Sequence, residues 1–165
     1  MTPIFASKRL DWSSAIGLFI INFGTLDYLL FVFLESQLPP ERLARIKSLC
    51  FQDRIAIIKT LVNRSRSPTE QQRAFAKFFH RLDPVRELRN RIAHGHLLVR
   101  VAKDGKTPVM TLSLPKDMDA AYAPASRHLE FRELTCALAE LTALIEEVKK
   151  LSGLWSDEKG KGNNP

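Results

Sequence analysis

The chain has 165 residues, of which 45% are hydrophobic and 26% charged, and these values exclude a wholly disordered or collagen-like protein. Lysine and arginine together number 25 against 18 for aspartate and glutamate, so the formal net charge is +7. A surplus of this size favours a polyanionic partner, chiefly nucleic acid, or an anionic membrane surface.

The N-terminal part of the chain is predicted to be a short arm followed by one long helix. Residues 1–12 form the arm. The first helix runs from 13 to 37, and Pro39-Pro40 ends it and starts the next.

Most of this first helix is strongly apolar. Residues 15–34 match a bilayer span in length, so a membrane segment is one interpretation. Asp27, near the middle, would cost roughly 2.5–3.5 kcal/mol in a bilayer. We therefore favour a soluble protein with no membrane partner. Its first helix would then be buried in a helical bundle or at a dimer interface.

Two further helices are predicted in the middle of the chain. The second covers residues 41–63, with a break near Phe51. The third covers residues 69–94. Pro84 falls inside it, and a proline at that point indicates either a kink or a fresh helix start.

The C-terminal part changes in pattern. Short β-prone segments around Asp104-Gly105 predict a β-hairpin at about residues 97–114. A long last helix follows over residues 130–151, and residues 153–165 are predicted to be a disordered tail. The fold class is therefore mainly all-α, a single domain over residues 13–152 with a β-hairpin before its last long helix.

The two cysteines, Cys50 and Cys136, each stand among apolar helical residues, and we expect both to be buried. No C-x-x-C pair is present, so the sequence predicts neither a zinc site nor thioredoxin-like redox chemistry. So few cysteines are typical of the reducing cytoplasm, and we predict a cytoplasmic protein.

The end of the third helix carries an unusual concentration of basic side chains. Residues 85–96 read VRELRNRIAHGH, with three arginines and two histidines. At about 100° per residue, the apolar positions face the core, Arg89 falls at their rim, and Asn90 and His94 lie on the opposite side. Because a half-buried guanidinium needs partners, we expect Arg89 to pair with Asp27 of the first helix, which would give structural support.

Arg89, Asn90 and His94 have the chemistry needed to cleave RNA without a metal ion. Histidine takes and gives a proton near neutral pH, and arginine binds and neutralises a phosphate. The amide of Asn90 fixes the imidazole or a phosphate oxygen. RNA supplies its own nucleophile, the 2′-hydroxyl. The alternative is an ordinary solvated helix end, because the helix dipole favours histidine there.

The string RNRIAH at residues 89–94 resembles the R-x(4–6)-H motif of the HEPN superfamily, in which a polar residue, often asparagine, follows the arginine. The predicted order of elements is also similar. It has an apolar first helix, a second helix, the helix that carries the motif, and a long last helix after an insertion. The resemblance covers most of residues 13–152.

This resemblance implies a HEPN-like up-and-down helical bundle with a β-hairpin insertion, which forms a homodimer so that two motifs meet in one cleft. Characterised members include metal-independent endoribonucleases among toxins and phage-defence proteins. By this resemblance Arg89 and His94 are catalytic and Asn90 supports them, with no cofactor and no metal. RNA, a second copy of the chain and a cognate antitoxin are the implied partners.

The sequence departs from one group of HEPN toxins. Those paired with nucleotidyltransferase antitoxins resemble R-x(4)-H-x-Y, and here His96 stands where the modified tyrosine would be. We predict Arg86, Arg91 and His96 as binding residues beside the catalytic three.

Two functions are therefore open. The first is a metal-independent endoribonuclease that cleaves RNA through 2′-hydroxyl attack at a homodimer interface. The second is a non-catalytic HEPN-like module for binding RNA or protein, or for dimerisation.

Overall fold

The computed structural model describes residues 3–63, 69–94, 96–101, 108–113 and 129–153, of which 3–10 and the two strands are described by backbone alone. These residues are mostly helical, as the sequence predicts. The helices are α1 (Pro3–Gln37), α2 (Pro40–Ile46), α3 (Phe51–Val62), α4 (Glu70–His94) and α5 (Phe131–Leu151), and the strands are β1 (His96–Val101) and β2 (Pro108–Ser113).

Helix α1 begins earlier than the sequence predicts. It starts at Pro3, so the prediction of an arm is wrong for residues 3–12. Proline suits the first turn of a helix, and no glycine or proline follows until Gly17. Trp12 is buried and packs edge-to-face on Phe131, with ring centroids 5.4 Å apart. This contact gives the start of α1 a tertiary anchor.

The second predicted helix is divided into α2 and α3, which confirms the predicted break. Pro40 is the first residue of α2, where its missing N–H is no loss, and Pro39 before it is extended. The backbone is extended again at Cys50, immediately before α3. Cys50 and Cys136 are both exposed, so the expectation that they are buried is wrong. Cys50 lies between two helices, where its thiol contacts Asp53 of the first turn of α3.

Helix α4 begins with reciprocal capping. Thr69 Oγ1 accepts a hydrogen bond from Gln72 N at 3.2 Å, and Gln72 Oε1 accepts one from Thr69 N at 2.7 Å. The helix then continues through Pro84 to His94, so this proline neither ends nor restarts it. Asp83 and Pro84 are exposed, so water can reach the backbone that the proline leaves unbonded.

Strands β1 and β2 pair antiparallel, in a register that runs from His96 opposite Ser113 to Val101 opposite Pro108. The predicted Asp-Gly turn falls within residues 102–107, which lie outside the described residues. The predicted tail also lies outside them from residue 154 onward.

The chain divides into two compact units. We call Met1–Phe23 with Asp83–Leu141 the motif unit, because it contains the RNRIAH segment. We call Gly24–Leu82 with Thr142–Pro165 the α2–α3 unit. The prediction of one domain over residues 13–152 stays a prediction.

Each unit has its own set of buried apolar side chains. In the motif unit these are Trp12, Phe19, Phe23, Val85, Leu88, Leu129, Leu134 and Leu141. In the α2–α3 unit an aromatic cluster is prominent, formed by Phe33, Phe75, Phe78 and Phe79 with ring centroids 5.4–6.4 Å apart.

Helix α1 has two apolar sides. Its buried positions Phe19, Phe23, Leu26, Leu30 and Phe33 recur every three or four residues and form one face. Other large apolar residues of the helix are exposed. The segment Asp11–Gln37 has a mean hydropathy of 1.9 and is the one helix in the described part of the chain long and apolar enough to cross a membrane. Core helices of soluble proteins share this property, so the absence of a membrane partner stays a prediction.

Candidate functional site

The end of α4 presents its side chains as the helical wheel predicts. Val85 and Leu88 are buried, which fixes the rotation of the helix about its axis. Arg89 is half-buried at the edge of this apolar side, and Asn90 and His94 are exposed. The structure therefore gives Arg89 a supported position and leaves the amide and the imidazole accessible.

Arg89 is held by a ring and an amide. Its guanidinium carbon Cζ lies 5.6 Å from the ring centroid of Phe23, a cation–π contact worth about 0.5–1 kcal/mol at a partly exposed position. Its Nη1 donates a hydrogen bond to Oδ1 of Asn90 at 3.3 Å. The guanidinium and the amide are thus neighbours, and no carboxylate among the described residues neutralises Arg89.

His94 is the last residue of α4 and is exposed. Its imidazole makes no hydrogen bond to another described residue. The final carbonyl groups of a helix have no intrahelical partner, and their partial negative charge favours a cation nearby. The imidazole is therefore accessible to a ligand at the C-terminal end of the helix.

The structure places the three predicted binding residues differently. Arg86 is half-buried and pairs with Asp83 at 3.5 Å, one turn earlier on α4. Arg91 is half-exposed on the last turns of the same helix. His96 is the first residue of β1, two positions after His94. Arg86 is thus paired with a carboxylate of its own helix, whereas Arg91 and His96 are placed on either side of His94 in the chain.

The predicted pair between Asp27 and Arg89 is not the one that the structure forms. Asp27 is bound instead by Arg54 of α3, whose Nη2 lies 2.7 Å from Oδ1 and 2.5 Å from Oδ2. Both partners belong to the α2–α3 unit, so Asp27 supports that unit and not the motif. An aspartate on an apolar helix is expected to pair with a cation. The sequence does not show which of two arginines on different helices lies close enough to Asp27 to be that partner.

A small apolar surface lies on the motif unit, and we call it the α1 patch. It consists of Leu18, Ile20 and Ile21, which are 48%, 39% and 66% exposed. A Cβ added at Gly17 would meet nothing within 4 Å, so the backbone beside the patch is open to close approach. The sequence signal for this surface is the run from Trp12 to Leu26, which contains no charged residue.

The role of Phe23 as the support of Arg89 is not visible in the sequence. The residue reads as one more apolar position of α1, and no local pattern connects it with a motif sixty-six positions later. The described residues contain no group of three histidine, cysteine, aspartate or glutamate side chains that could hold a metal ion.

Comparison of the chain with protein-family models, with curated proteins and with solved structures gives no match.

Proposed function

We propose that the protein is a homodimeric, metal-independent endoribonuclease of the HEPN type. This proposal rests on the arrangement of three side chains at the end of α4. The guanidinium of Arg89 is held against an aromatic ring, the amide of Asn90 is hydrogen-bonded to it, and the imidazole of His94 is exposed. The net charge of +7 agrees with a polyanionic substrate. In this proposal the β1–β2 pair is the insertion of a HEPN-like bundle.

The reaction uses a nucleophile that RNA itself carries. One His94 imidazole removes the proton of the 2′-hydroxyl, and the oxygen then forms a bond to the adjacent phosphorus. The bond from phosphorus to the 5′-oxygen breaks, and the imidazole of a second His94 protonates the leaving oxygen. The products are a 2′,3′-cyclic phosphate and a free 5′-hydroxyl, and no oxidant or metal is consumed.

Arg89 and Asn90 act on charge and geometry in this reaction. The guanidinium stabilises the extra negative charge of the pentacoordinate phosphorus by two hydrogen bonds to its oxygens. Its contact with Phe23 holds it in place without neutralising it. Asn90 accepts from Arg89 through Oδ1, so its Nδ2 is the donor that it offers to a phosphate oxygen.

A second copy of the chain is needed because one helix end carries a single His94, whereas the reaction uses a base and an acid. The α1 patch belongs to the same unit as the motif and has no charge that would repel its own copy. We propose that this patch is covered in the dimer. A role as a toxin or phage-defence effector, with a cognate antitoxin, belongs to the same proposal.

The test is single-turnover RNA cleavage in EDTA by the wild type and by His94→Ala. General acid–base catalysis contributes about 10²- to 10⁴-fold, so His94→Ala should slow cleavage by at least the lower figure. The matched control is His80→Ala, which removes an exposed histidine of the same helix and should leave the rate unchanged. Product ends are identified by mass spectrometry, and a 2′,3′-cyclic phosphate is expected.

Arg89→Lys gives a second arm, because lysine keeps the charge and loses the two-pronged geometry. We expect a fall of about 10²-fold in rate with the melting temperature preserved. Equal cleavage by the wild type, His94→Ala and Arg89→Lys would show that any activity comes from a contaminant, and the nuclease proposal would then be abandoned.

A non-catalytic module is the second candidate, and the net charge of +7 with the supported guanidinium of Arg89 favours it as an RNA-binding protein independent of chemistry. This candidate expects RNA binding, measured by fluorescence anisotropy, to be the same in the wild type and His94→Ala. Binding should then weaken as salt is raised, because it depends on phosphate contacts alone.

A further inference from the structure

A second surface lies in the α2–α3 unit. An open groove of about 520 Å³ runs between α2 with the turn after it and one face of α3. Its walls are apolar, with Ile46 and Leu49 on one side and Ile57 and Leu61 on the other. Three of these four side chains are only half-buried, so apolar surface along the groove is in contact with water.

Two arginines lie beside this apolar surface. Arg42 and Arg45 both line the groove and are exposed. Neither guanidinium makes a hydrogen bond or an ion pair with another described residue. They lie three positions apart on α2, so they are neighbours on one face of that helix. The groove therefore combines apolar walls with two positive charges that lie about one helical turn apart and are available to a ligand.

We propose that this groove binds an amphipathic α-helix of a partner protein, whose apolar face fills the groove and whose acidic residues pair with Arg42 and Arg45. Helices dock into apolar grooves through anchors at positions i, i+3, i+4 and i+7. Two carboxylates one turn apart on such a helix match the spacing of the two arginines. This inference does not depend on the nuclease proposal, because the groove lies in the other unit.

The shape and charge of the groove favour a helix over a single-chain lipid. A fatty acid has one carboxylate and would leave one arginine unpaired, and the half-exposed walls would leave part of its chain in water. An amphipathic helix covers the apolar walls and turns its own polar face outward. Its two carboxylates give each guanidinium a charge-assisted hydrogen bond.

The experiment selects, from a library of helix-forming peptides, those that bind to the full chain. Each peptide has about 16 residues, or roughly 24 Å of helix, with leucine at the anchor positions. The flanking positions are randomised among glutamate, lysine and serine. We expect selection to enrich glutamates one turn apart. The enriched peptide is then labelled, and its affinity is measured by fluorescence anisotropy.

Two kinds of variant locate the binding. Arg42→Glu with Arg45→Glu reverses the rim charge and should weaken binding by about tenfold or more, since like charges then face each other. Ala56→Trp places an indole in the groove at an exposed position and should also weaken it. Arg73→Glu and Ala76→Trp are the matched controls, because both residues are exposed on α4 and neither lines the groove.

A peptide with lysine in place of the enriched glutamates should reverse the preference and bind the Arg42→Glu, Arg45→Glu variant better than the wild type. Circular dichroism checks that each variant folds, and Thr60→Tyr is a second blocking variant if Ala56→Trp does not fold. Three results would each overturn the proposal. The selection could yield no binding peptide, the selected peptides could show no enrichment of glutamate, or Arg73→Glu could weaken binding as much as the Arg42→Glu, Arg45→Glu variant does. We expect that oleate does not displace the bound peptide. If oleate instead binds tightly and this binding is lost in Arg42→Glu, the groove would be assigned to a lipid.

Discussion

The guanidinium of Arg89 keeps its charge available, because its described neighbours are an aromatic ring and a neutral amide. Arg54 is held in the opposite way, since its Nη2 contacts both oxygens of Asp27 and its charge is matched inside the protein. The two arginines therefore differ in what they can do. Arg54 stabilises the α2–α3 unit, whereas Arg89 can bind an external anion.

Asp27→Asn should lower the free energy of unfolding by about 1–3 kcal/mol, because it leaves the shielded Arg54 guanidinium without its charge partner. Urea denaturation monitored by circular dichroism measures the change. Glu35→Gln, at an exposed position of the same helix, is the control and should change stability by less than about 0.5 kcal/mol. Equal effects of the two substitutions would contradict a specific role of the Asp27–Arg54 pair.

Helix α4 contains a proline before the RNRIAH motif at its C-terminal end. Pro84 lies inside the helix, and its ring removes one backbone hydrogen bond and crowds the preceding turn. The helix is nevertheless continuous to His94, because Leu82, Val85 and Leu88 are buried on one side of it. Tertiary packing thus overrides a local sequence signal at this position.

Pro84→Ala should raise the free energy of unfolding by about 1–3 kcal/mol, because alanine restores the backbone bond in a helix interior. Pro40→Ala is the matched control, since Pro40 is the first residue of α2 and fits there without strain. That control should be destabilising by about 0.4–1 kcal/mol through the freer unfolded chain. Thermal melting of both variants measures the difference in sign.

The sequence predicted much of the helical framework and the exposure of the motif. Apolar periodicity identified the helices, and the same periodicity placed Arg89 at the rim with Asn90 and His94 outside. The pattern Thr69-x-x-Gln72, which caps the start of α4, is also visible in the sequence. The sequence could not supply the contact of Arg89 with Phe23 or that of Arg54 with Asp27. Such contacts depend on how helices distant in the chain pack together.

The α1 patch bears on the assembly of the whole protein. Leu18, Ile20 and Ile21 expose apolar surface that the motif unit does not cover. The end of α4 carries half of the acid–base pair that the proposed reaction requires. The proposed dimer would both cover the patch and complete the acid–base pair.

If the proposed dimer forms through the α1 patch, Ile21→Glu should shift the protein from dimer to monomer and reduce the proposed RNA cleavage, because a carboxylate would face its own copy across the patch. Sedimentation velocity measures the assembly and single-turnover kinetics the activity. Ala76→Glu, which adds the same charge at an exposed position of α4, should change neither. A monomer that cleaves RNA at the wild-type rate would contradict the two-copy site.

Mixing the wild type with His94→Ala tests the shared site directly. If the base and the acid of the proposed reaction are the two His94 imidazoles of one dimer, a mixed dimer keeps one of them and should be inactive, so cleavage by the wild type should fall after subunit exchange. The fall is measured against the wild type alone at the same wild-type concentration. An unchanged rate, with exchange verified by mass spectrometry, would mean that each copy works with its own residues only.

In the proposed dimer, the exposed α1 patch would also make the activity of the protein depend on its concentration. Leu18 and Ile21 are among its most exposed large hydrophobic side chains, so scarce, separated copies would be both incomplete and adhesive. Under the proposed function, the output of each molecule would rise as its numbers rise, until pairing saturates. Below saturation the number of dimers would rise with the square of the monomer concentration, so a modest change in synthesis or turnover would change RNA cleavage more than proportionally.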